Sequence, residues 1–376
     1  MRNVFLYSSA LLFFSLPYHT AVKYIAMVLV FLSGVFIIIK EKSFKMDLLN
    51  LILLGFGIET LISGLLYTNE LKRVLYAQKD LWIIISGFLI YRSIHLNKDE
   101  ILKFIVLPLA VSSIVLFFCG LYKYYILHDY GRYHLFTNIN RSAIYSVISL
   151  SFILPFLEIV KNKIKYILLI GIFFIVLTIE FLASRNAIVT MFIIFMIYFF
   201  IFSNISRRSK ILITSFLGIS FIMVSIYYGM LVNRIEHFTH IPYRFSIWKA
   251  GLYSYLNSEN FFLGIGTNNF KSIDLTPYIS NWNTHITSVH NLFFEIFIEN
   301  GLLGLGFYLT FLILIIMKLK NYKNKENIFF KSIILLLITH FLTSLTETTL
   351  IKEHGLLLFI FLAISLSQLE FRREKL

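Results

Sequence analysis

A polar stretch between residues 230 and 289 interrupts an otherwise apolar chain and ends at a histidine. The stretch carries Arg234 and Arg244 and runs into His290-Asn291, after which another apolar helix is predicted. Guanidinium groups engage phosphate oxygens in pairs, and imidazole titrates near neutral pH. The pattern therefore indicates a site for an anionic substrate at a membrane face.

His290 is the candidate proton acceptor, although a lone histidine is more often a structural residue. It opens a predicted helix, and the start of a helix carries partial positive charge and free N–H groups. That field disfavours the imidazolium, leaves a neutral ring able to accept a proton, and attracts a phosphate to the same place. His285 lies five residues earlier in the same approach, so the sequence leaves open which histidine acts.

Arginines outside the basic loops are the candidate anion-binding groups. Arg185 interrupts two apolar runs, where a charge inside the membrane costs roughly a few kcal/mol. Snorkelling to the headgroups is one explanation, and binding of a phosphate-bearing substrate together with Arg244 is the other. Further candidates for contact with the substrate are Asn138, Arg141, Trp248, His285 and Asn291.

Three features near His290 have a structural as well as a functional interpretation. Asn291, Glu295 and Glu299 form a polar stripe along the predicted helix, which indicates either function or a helix-packing contact. Gly264-Ile-Gly266 is too short for a nucleotide-binding fingerprint and predicts a turn that approaches its neighbours closely. After Arg244, apolar residues at helical spacing predict an amphipathic helix on the membrane. They are Phe245, Trp248, Leu252 and Tyr255.

Composition places the chain among polytopic membrane proteins. Of its 376 residues 58% are hydrophobic and only 14% are charged, whereas soluble domains carry about 25% charged residues. Apolar runs close to the ~20 residues that cross a bilayer recur along the whole chain. We therefore predict one all-α membrane domain over residues 1–376, with about twelve helices and a catalytic loop at 230–289. The spans are predicted near 4–17, 21–39, 48–67, 80–96, 101–124, 141–160, 165–183, 186–203, 210–231, 290–317, 328–346 and 355–370.

The placement of lysine and arginine predicts the orientation of these helices, because positive loops stay in the cytoplasm. Both termini are then cytoplasmic and the 230–289 loop is external. The net charge of +14 is explained by this signal and by contact with anionic lipids, without a nucleic acid. The basic clusters on the predicted inner side are 40–45, 161–165, 207–210, 318–325 and 372–375.

Several motifs follow one another in a fairly specific order. They are Gly131-Arg132-Tyr-His-Leu-Phe-Thr-Asn138-Ile-Asn140-Arg141-Ser-Ala, Leu182-Ala-Ser-Arg185-Asn-Ala, Arg244-Phe-Ser-Ile-Trp248, Phe262-Leu-Gly-Ile-Gly266 and His290-Asn-Leu-Phe-Phe-Glu-Ile-Phe-Ile-Glu-Asn-Gly-Leu-Leu-Gly304. In this order, and with the large external loop before the histidine, the chain resembles the O-antigen ligase and polymerase superfamily. Those proteins are bacterial inner-membrane glycosyltransferases of the GT-C type.

The resemblance implies a reaction and a role for each candidate residue. Members transfer a glycan from undecaprenyl diphosphate to a sugar hydroxyl at the periplasmic face. By this resemblance, His290 would be the general base, while Arg185 and Arg244 would bind the diphosphate, with inversion at the anomeric carbon. No cofactor and no metal are implied, since the donor is already activated and arginines can neutralise the diphosphate.

The acceptor separates two forms of the same chemistry. In a ligase the acceptor is lipid A–core, and in a polymerase it is another lipid-linked repeat. A ligase is favoured because the long external loop directly precedes the histidine helix and the other external loops are short. The expected partners are an undecaprenyl-diphosphate-linked glycan, lipid A–core and membrane lipids, with no nucleic acid.

A transporter or flippase of lipid-linked oligosaccharides is the alternative from a different class. Such a protein would show internal repeats and helices broken at matching positions of two halves. The chain has five prolines in all, and its polar residues gather at one face. The sequence therefore favours an enzyme.

Overall fold

The chain forms a bundle of α-helices, and its computed structural model describes most of the residues. They are residues 1–18, 21–44, 46–67, 71–126, 139–182, 184–203, 208, 215, 240–258, 260–275, 277–278, 288–322, 325–350 and 352–373.

No β-strand occurs among these residues, as expected from apolar runs too long for strands. The helices are α1 (Arg2–Ser15), α2 (Ala21–Glu41), α3 (Leu48–Tyr67), α4 (Leu71–Ser93), α5 (Leu107–Tyr125), α6 (Ile139–Ile153), α7 (Asn162–Leu182), α8 (Arg185–Ile197), α9 (His240–Leu256), α10 (Leu292–Lys320), α11 (Ile328–Ser344) and α12 (Lys352–Arg373). Shorter helical segments are Lys98–Ile101 and Leu102–Val106 before α5, Leu154–Glu158 after α6, Tyr198–Phe202 after α8, and Phe270–Ser272.

Within the described residues, nine helical segments are long and apolar enough to cross a membrane. The prediction of a polytopic membrane protein is thereby confirmed. The first predicted span is a helix of 14 residues and α11 has 17, so both fall below the length of those nine. The predicted span 210–231 lies almost wholly outside the described residues, and the count of twelve stays a prediction.

The last helix, α12, lies at the centre of the bundle. It packs against α4, α6 and α11, and most of its side chains are buried. Phe359 of α12 stacks on Phe311 of α10 at 5.4 Å and meets the edge of Phe88 of α4 at 6.0 Å. Such aromatic contacts fix the relative positions of the helices, and with them the residues at the helix ends.

An ion-paired cluster closes one end of the bundle, where α4, α10 and α12 finish and α3 begins. Arg92 donates to Asp47 at 2.7 Å and to Glu370 at 2.8 Å, and Lys318 donates to Glu370 at 2.6 Å. We call these four residues the paired cluster. At the same end, Arg2 of α1 donates to the carbonyl of His95. The beginning of α1 therefore lies at the end of the bundle where α12 finishes.

At the other end, α10 is kinked, although the sequence predicts one continuous helix. Gly301 has a φ of 63° inside α10, a conformation that favours glycine. The turn Gly264-Ile-Gly266 docks there: the amides of Ile265 and Gly266 donate to the carbonyls of Ile298 and Glu299 at 3.0 and 2.9 Å. This confirms the prediction of a close turn at these glycines.

Candidate active site

The candidate site lies at the end of the bundle opposite the paired cluster. The first residues of α6, α8 and α10 meet there with the segment that connects α11 to α12. Ser184, just before α8, donates to Asn140 Oδ1 at 3.1 Å, and Asn140 Nδ2 donates to Glu347 at 2.5 Å. His290 Nδ1 lies 3.4 Å from Glu347 Oε2. We call Asn140, His290 and Glu347 the histidine cluster.

His290 is held by its neighbours while its own side chain stays accessible. Its φ is 55°, in the left-handed region, and its side chain is 37% exposed. The carbonyl of the preceding Val289 accepts from Trp248 Nε1 at 3.0 Å. The following Asn291 caps α10 by accepting from the amide of Phe294 at 3.1 Å. A ring presented in this way can meet a substrate at the start of a helix.

Glu347 is a residue of this site that the sequence interpretation missed. It lies in the short polar segment 343–349, which ends α11 and leads towards α12, and its side chain is 14% exposed. The sequence offered one signal for it, namely an acid in a short connection that the predicted topology places on the same membrane side as His290. Its distance of 57 residues from His290 hid the contact.

The carboxyl of Glu347 is surrounded by groups that favour its charged form. Burial raises its pKa, but the hydrogen bond and the charge of His290, together with the charge of Arg244 and the hydrogen bond from Asn140, outweigh burial. The pKa of Glu347 is therefore lowered from its ordinary value, and the carboxyl is ionised at neutral pH. A carboxylate beside an imidazole can fix which ring nitrogen carries the proton.

The structure brings some of the predicted arginines towards this cluster. Arg244 lies in the first part of α9, is half-buried, and acts by its charge on Glu347. Arg185 is the first residue of α8, directly after the Ser184 that bonds to Asn140, and its side chain is exposed. Arg141 follows Asn140 in α6 and is half-buried. Arg244 is thus the arginine whose charge acts on the carboxylate of Glu347, while Arg141 and Arg185 each follow a residue of the Ser184–Asn140 hydrogen bond.

Two of the predicted substrate contacts, Trp248 and Asn291, also make contacts within the fold. Besides its bond to Val289, Trp248 stacks on Phe294 with ring centroids 5.2 Å apart. Asn291 is buried and uses both ends of its amide, since its Nδ2 also donates to the carbonyl of Leu345 at 3.2 Å. The predicted contacts Asn138 and His285 lie outside the described residues.

The two glutamates of the polar stripe also hold the structure together. Glu295 accepts from the Val289 amide at 3.2 Å and from Thr348 Oγ1 at 2.6 Å. Glu299 accepts from the amides of Asn268 and Phe270 at 2.7 and 3.0 Å. These bonds favour the structural interpretation of the stripe.

The amphipathic helix predicted after Arg244 is present as α9, but its apolar positions do not share one exposed face. Phe245 is 61% exposed and Leu252 is 36% exposed, whereas Tyr255 is only 1% exposed. Tyr255 packs against Phe297 of α10. The helix therefore joins α10 by one side and exposes apolar residues on another.

Among the residues that the structure describes, no three histidine, cysteine or acidic side chains come together as metal ligands would. The acidic groups that interact with His290 are Glu347 and Glu295.

One known protein family is similar to the part of the chain that carries these residues. Residues 166–309 match the family model described as O-antigen ligase. The resemblance to the O-antigen ligase and polymerase superfamily is confirmed. The O-antigen ligase match begins within α7, ends within α10, and contains Arg185, Arg244 and His290. Asn140 and Glu347 lie outside it. No curated protein matches the chain closely enough to be counted as a relative.

Proposed function

We propose that the protein is an O-antigen ligase, which transfers a glycan from undecaprenyl diphosphate to a sugar hydroxyl of lipid A–core. One observation carries this proposal. The residues matched by the O-antigen ligase model include Arg244 and His290. Both stabilise the charged form of the Glu347 carboxyl, His290 by a hydrogen bond and Arg244 by its charge. A cation and a base are the two groups that transfer from a diphosphate donor requires.

In the proposed reaction, His290 takes the proton of the acceptor hydroxyl while the acceptor oxygen bonds to the anomeric carbon. The bond from that carbon to the diphosphate oxygen breaks, and the electron pair leaves with undecaprenyl diphosphate. Arg185 and Arg244 bind the diphosphate and stabilise the charge that grows on it. Attack opposite the leaving group inverts the anomeric carbon. The arginines supply the positive charge, so the proposal requires no metal.

The proposed location is the bacterial inner membrane, with both termini in the cytoplasm and the reaction at the periplasmic face. The basic clusters of the sequence support this orientation, since Lys318 and Lys320 finish α10 at the end opposite His290. Residues 230–289 then form a periplasmic catalytic loop within a single membrane domain.

Lipopolysaccharide profiles of a strain that lacks this protein test the proposal. Complementation with the wild type should restore a long ladder on lipid A–core. His290→Ala should leave intact core while lipid-linked glycan accumulates, and Lys318→Ala, at the opposite end of α10, serves as the control.

Two results would contradict the proposal. Core that carries a single repeat in the deleted strain would identify a polymerase instead. A full ladder with His290→Ala would remove this histidine from the mechanism and direct attention to His285.

A further inference from the structure

The segment that carries Glu347 is fixed from several sides, so its carboxylate has a defined position. Leu345 accepts from the Asn291 side chain of α10, and Thr348 donates to Glu295. Thr346 accepts from the Asn186 side chain of α8. Three of the five residues from 345 to 349 are thus hydrogen-bonded to side chains at the beginning of α8 or α10.

The two oxygens of Glu347 meet different partners. Oε1 accepts from Asn140 Nδ2 at 2.5 Å, and Oε2 faces His290 Nδ1 at 3.4 Å. Asn140 is itself oriented, because its Oδ1 accepts from Ser184. Catalytic hydrogen bonds are often long before substrate binds and tighten in the complex. The geometry therefore presents one carboxylate oxygen to one nitrogen of the ring.

A histidine that acts as a base must carry its lone pair on the nitrogen that faces the substrate. A carboxylate that accepts from Nδ1–H selects the tautomer with the lone pair on Nε2. After the ring takes a proton, the same carboxylate stabilises the imidazolium. Glu347 has both properties, since it faces Nδ1 and is ionised at neutral pH.

We propose that Glu347 is a positioning residue for His290, accepting from Nδ1–H so that Nε2 takes the proton of the acceptor hydroxyl. This inference rests on the proposed function. Asn140 completes it by holding the second oxygen of Glu347 and by linking the carboxylate to the start of α8, where Arg185 lies. The proton on Nε2 passes to solvent after the glycan has moved, which restores the neutral ring.

Other charged groups act on the same pair and must be considered in any pH experiment. Arg244 of α9 acts on Glu347, and Glu295 of α10 interacts with both His290 and Glu347. His354 of α12 also interacts with Glu347. Glu295 is engaged by Val289 and Thr348, so Glu347 is the acid that contacts the ring.

The test is the pH dependence of glycan transfer by the full-length protein in vesicles, with an undecaprenyl-diphosphate-linked glycan and lipid A–core. Glu347→Gln keeps the size of the side chain but removes its charge. We expect kcat to fall by about 10²-fold or more, with KM within about threefold. The acidic limb of the kcat profile should move to lower pH, because the imidazolium loses the carboxylate that stabilises it. Glu347→Asp should recover part of kcat, and Glu370→Gln, at the other end of α12, should match the wild type.

A second measurement needs no Glu347 variant. Nitrogen NMR of histidine-labelled wild type, with His290 assigned by its loss in His290→Gln, should find the proton of the neutral ring on Nδ1. A proton on Nε2, or unchanged kcat and pH profile in Glu347→Gln, would overturn the role of Glu347 while leaving the ligase proposal intact. A wild type that transfers no glycan would overturn the proposed function, and the NMR tautomer would still report whether Glu347 orients the ring.

Discussion

The two ends of the bundle use charge in different ways. In the paired cluster, Arg92 donates to Asp47 from its two terminal guanidinium nitrogens and also to Glu370, and Lys318 donates to Glu370. Burial raises the pKa of Asp47, but the bonds from Arg92 and from the Asn50 amide outweigh it and lower the pKa. Two cations and two acids thus form charge-assisted hydrogen bonds that hold the helix ends together.

The histidine cluster at the opposite end has a looser arrangement. Glu347 faces a histidine ring at 3.4 Å, and Arg244 of α9 acts on it through its charge. About 33 Å of helix separates the two ends along the 22 residues of α12. The difference teaches that closely paired charges join helices, whereas a partly exposed histidine on a carboxylate that also feels an arginine suits chemistry on an anionic ligand.

The largest effect on stability is expected when the paired cluster is broken. Arg92→Ala leaves Asp47 and Glu370 without their main partner, and removing one member of a buried ion pair costs about 3–5 kcal/mol. We expect a large loss of folded protein, measured by denaturant unfolding in detergent micelles, with little change in transfer per folded molecule.

Lys318→Ala in the same cluster is the matched control. Its side chain is 36% exposed, compared with 5% for Arg92, so its loss should cost within about 1 kcal/mol. Equal losses of unfolding free energy in the two variants would contradict the view that Arg92 is the buried centre of the cluster.

The next effect concerns the histidine cluster. Arg244→Ala should lower kcat/KM by about 10²–10³-fold, since a cation is removed from the leaving diphosphate, and should leave stability nearly unchanged. Arg244→Lys should recover part of the rate. Lys249→Ala, an exposed cation on the same helix, is the control. If Arg244→Ala lost stability but kept its rate, the charges of the histidine cluster would be structural, like those of the paired cluster.

A smaller effect tests the turn that docks on the α10 kink. A Cβ at Gly264, where φ is +72°, would lie 2.5 Å from the carbonyl oxygen of Ile298. Gly264→Ala should therefore cost about 2–3 kcal/mol of unfolding free energy.

Gly306→Ala in α10 is its control, because a Cβ there meets no atom of a neighbouring described residue within 4 Å. It should be neutral or stabilising, since alanine favours helix over glycine by about 1 kcal/mol. Similar destabilisation of both variants would argue against a specific docking of the turn.

The smallest effect distinguishes a structural from a substrate-binding Trp248. Trp248→Phe keeps a ring against Phe294 but removes the bond to Val289, which should cost about 1 kcal/mol of stability and change transfer less than tenfold. Tyr253→Phe, exposed on the same helix, is the comparison. A hundredfold loss of transfer with unchanged stability would mean that Trp248 contacts the glycan.

Much of the fold could be predicted from the sequence because apolar runs near 20 residues leave few alternatives. The helix at 240–256, the close turn at Gly264-Ile-Gly266 and the position of His290 before α10 follow from local patterns. The kink at Gly301 does not, since a glycine inside an apolar run also fits a straight helix.

The residues around His290 could not be predicted from local sequence patterns, for a different reason. Asn140 and Glu347 are 150 and 57 residues away, and only the packing of α6, α10 and α12 brings them together. Asn291 and Trp248 were predicted as substrate contacts because polar and aromatic residues near a histidine resemble site residues. Their bonds within the fold could be recognised only from the structure.

The most direct test of the central claim is the initial rate at which the purified protein in vesicles moves a defined glycan from undecaprenyl diphosphate to lipid A–core. Wild type and Lys318→Ala should transfer at similar rates per folded molecule. His290→Ala, equally folded, should be slower by about 10²–10⁴-fold, as loss of a general base predicts. A rate for His290→Ala within tenfold of the wild type would contradict the account that this end of the bundle performs the reaction through His290.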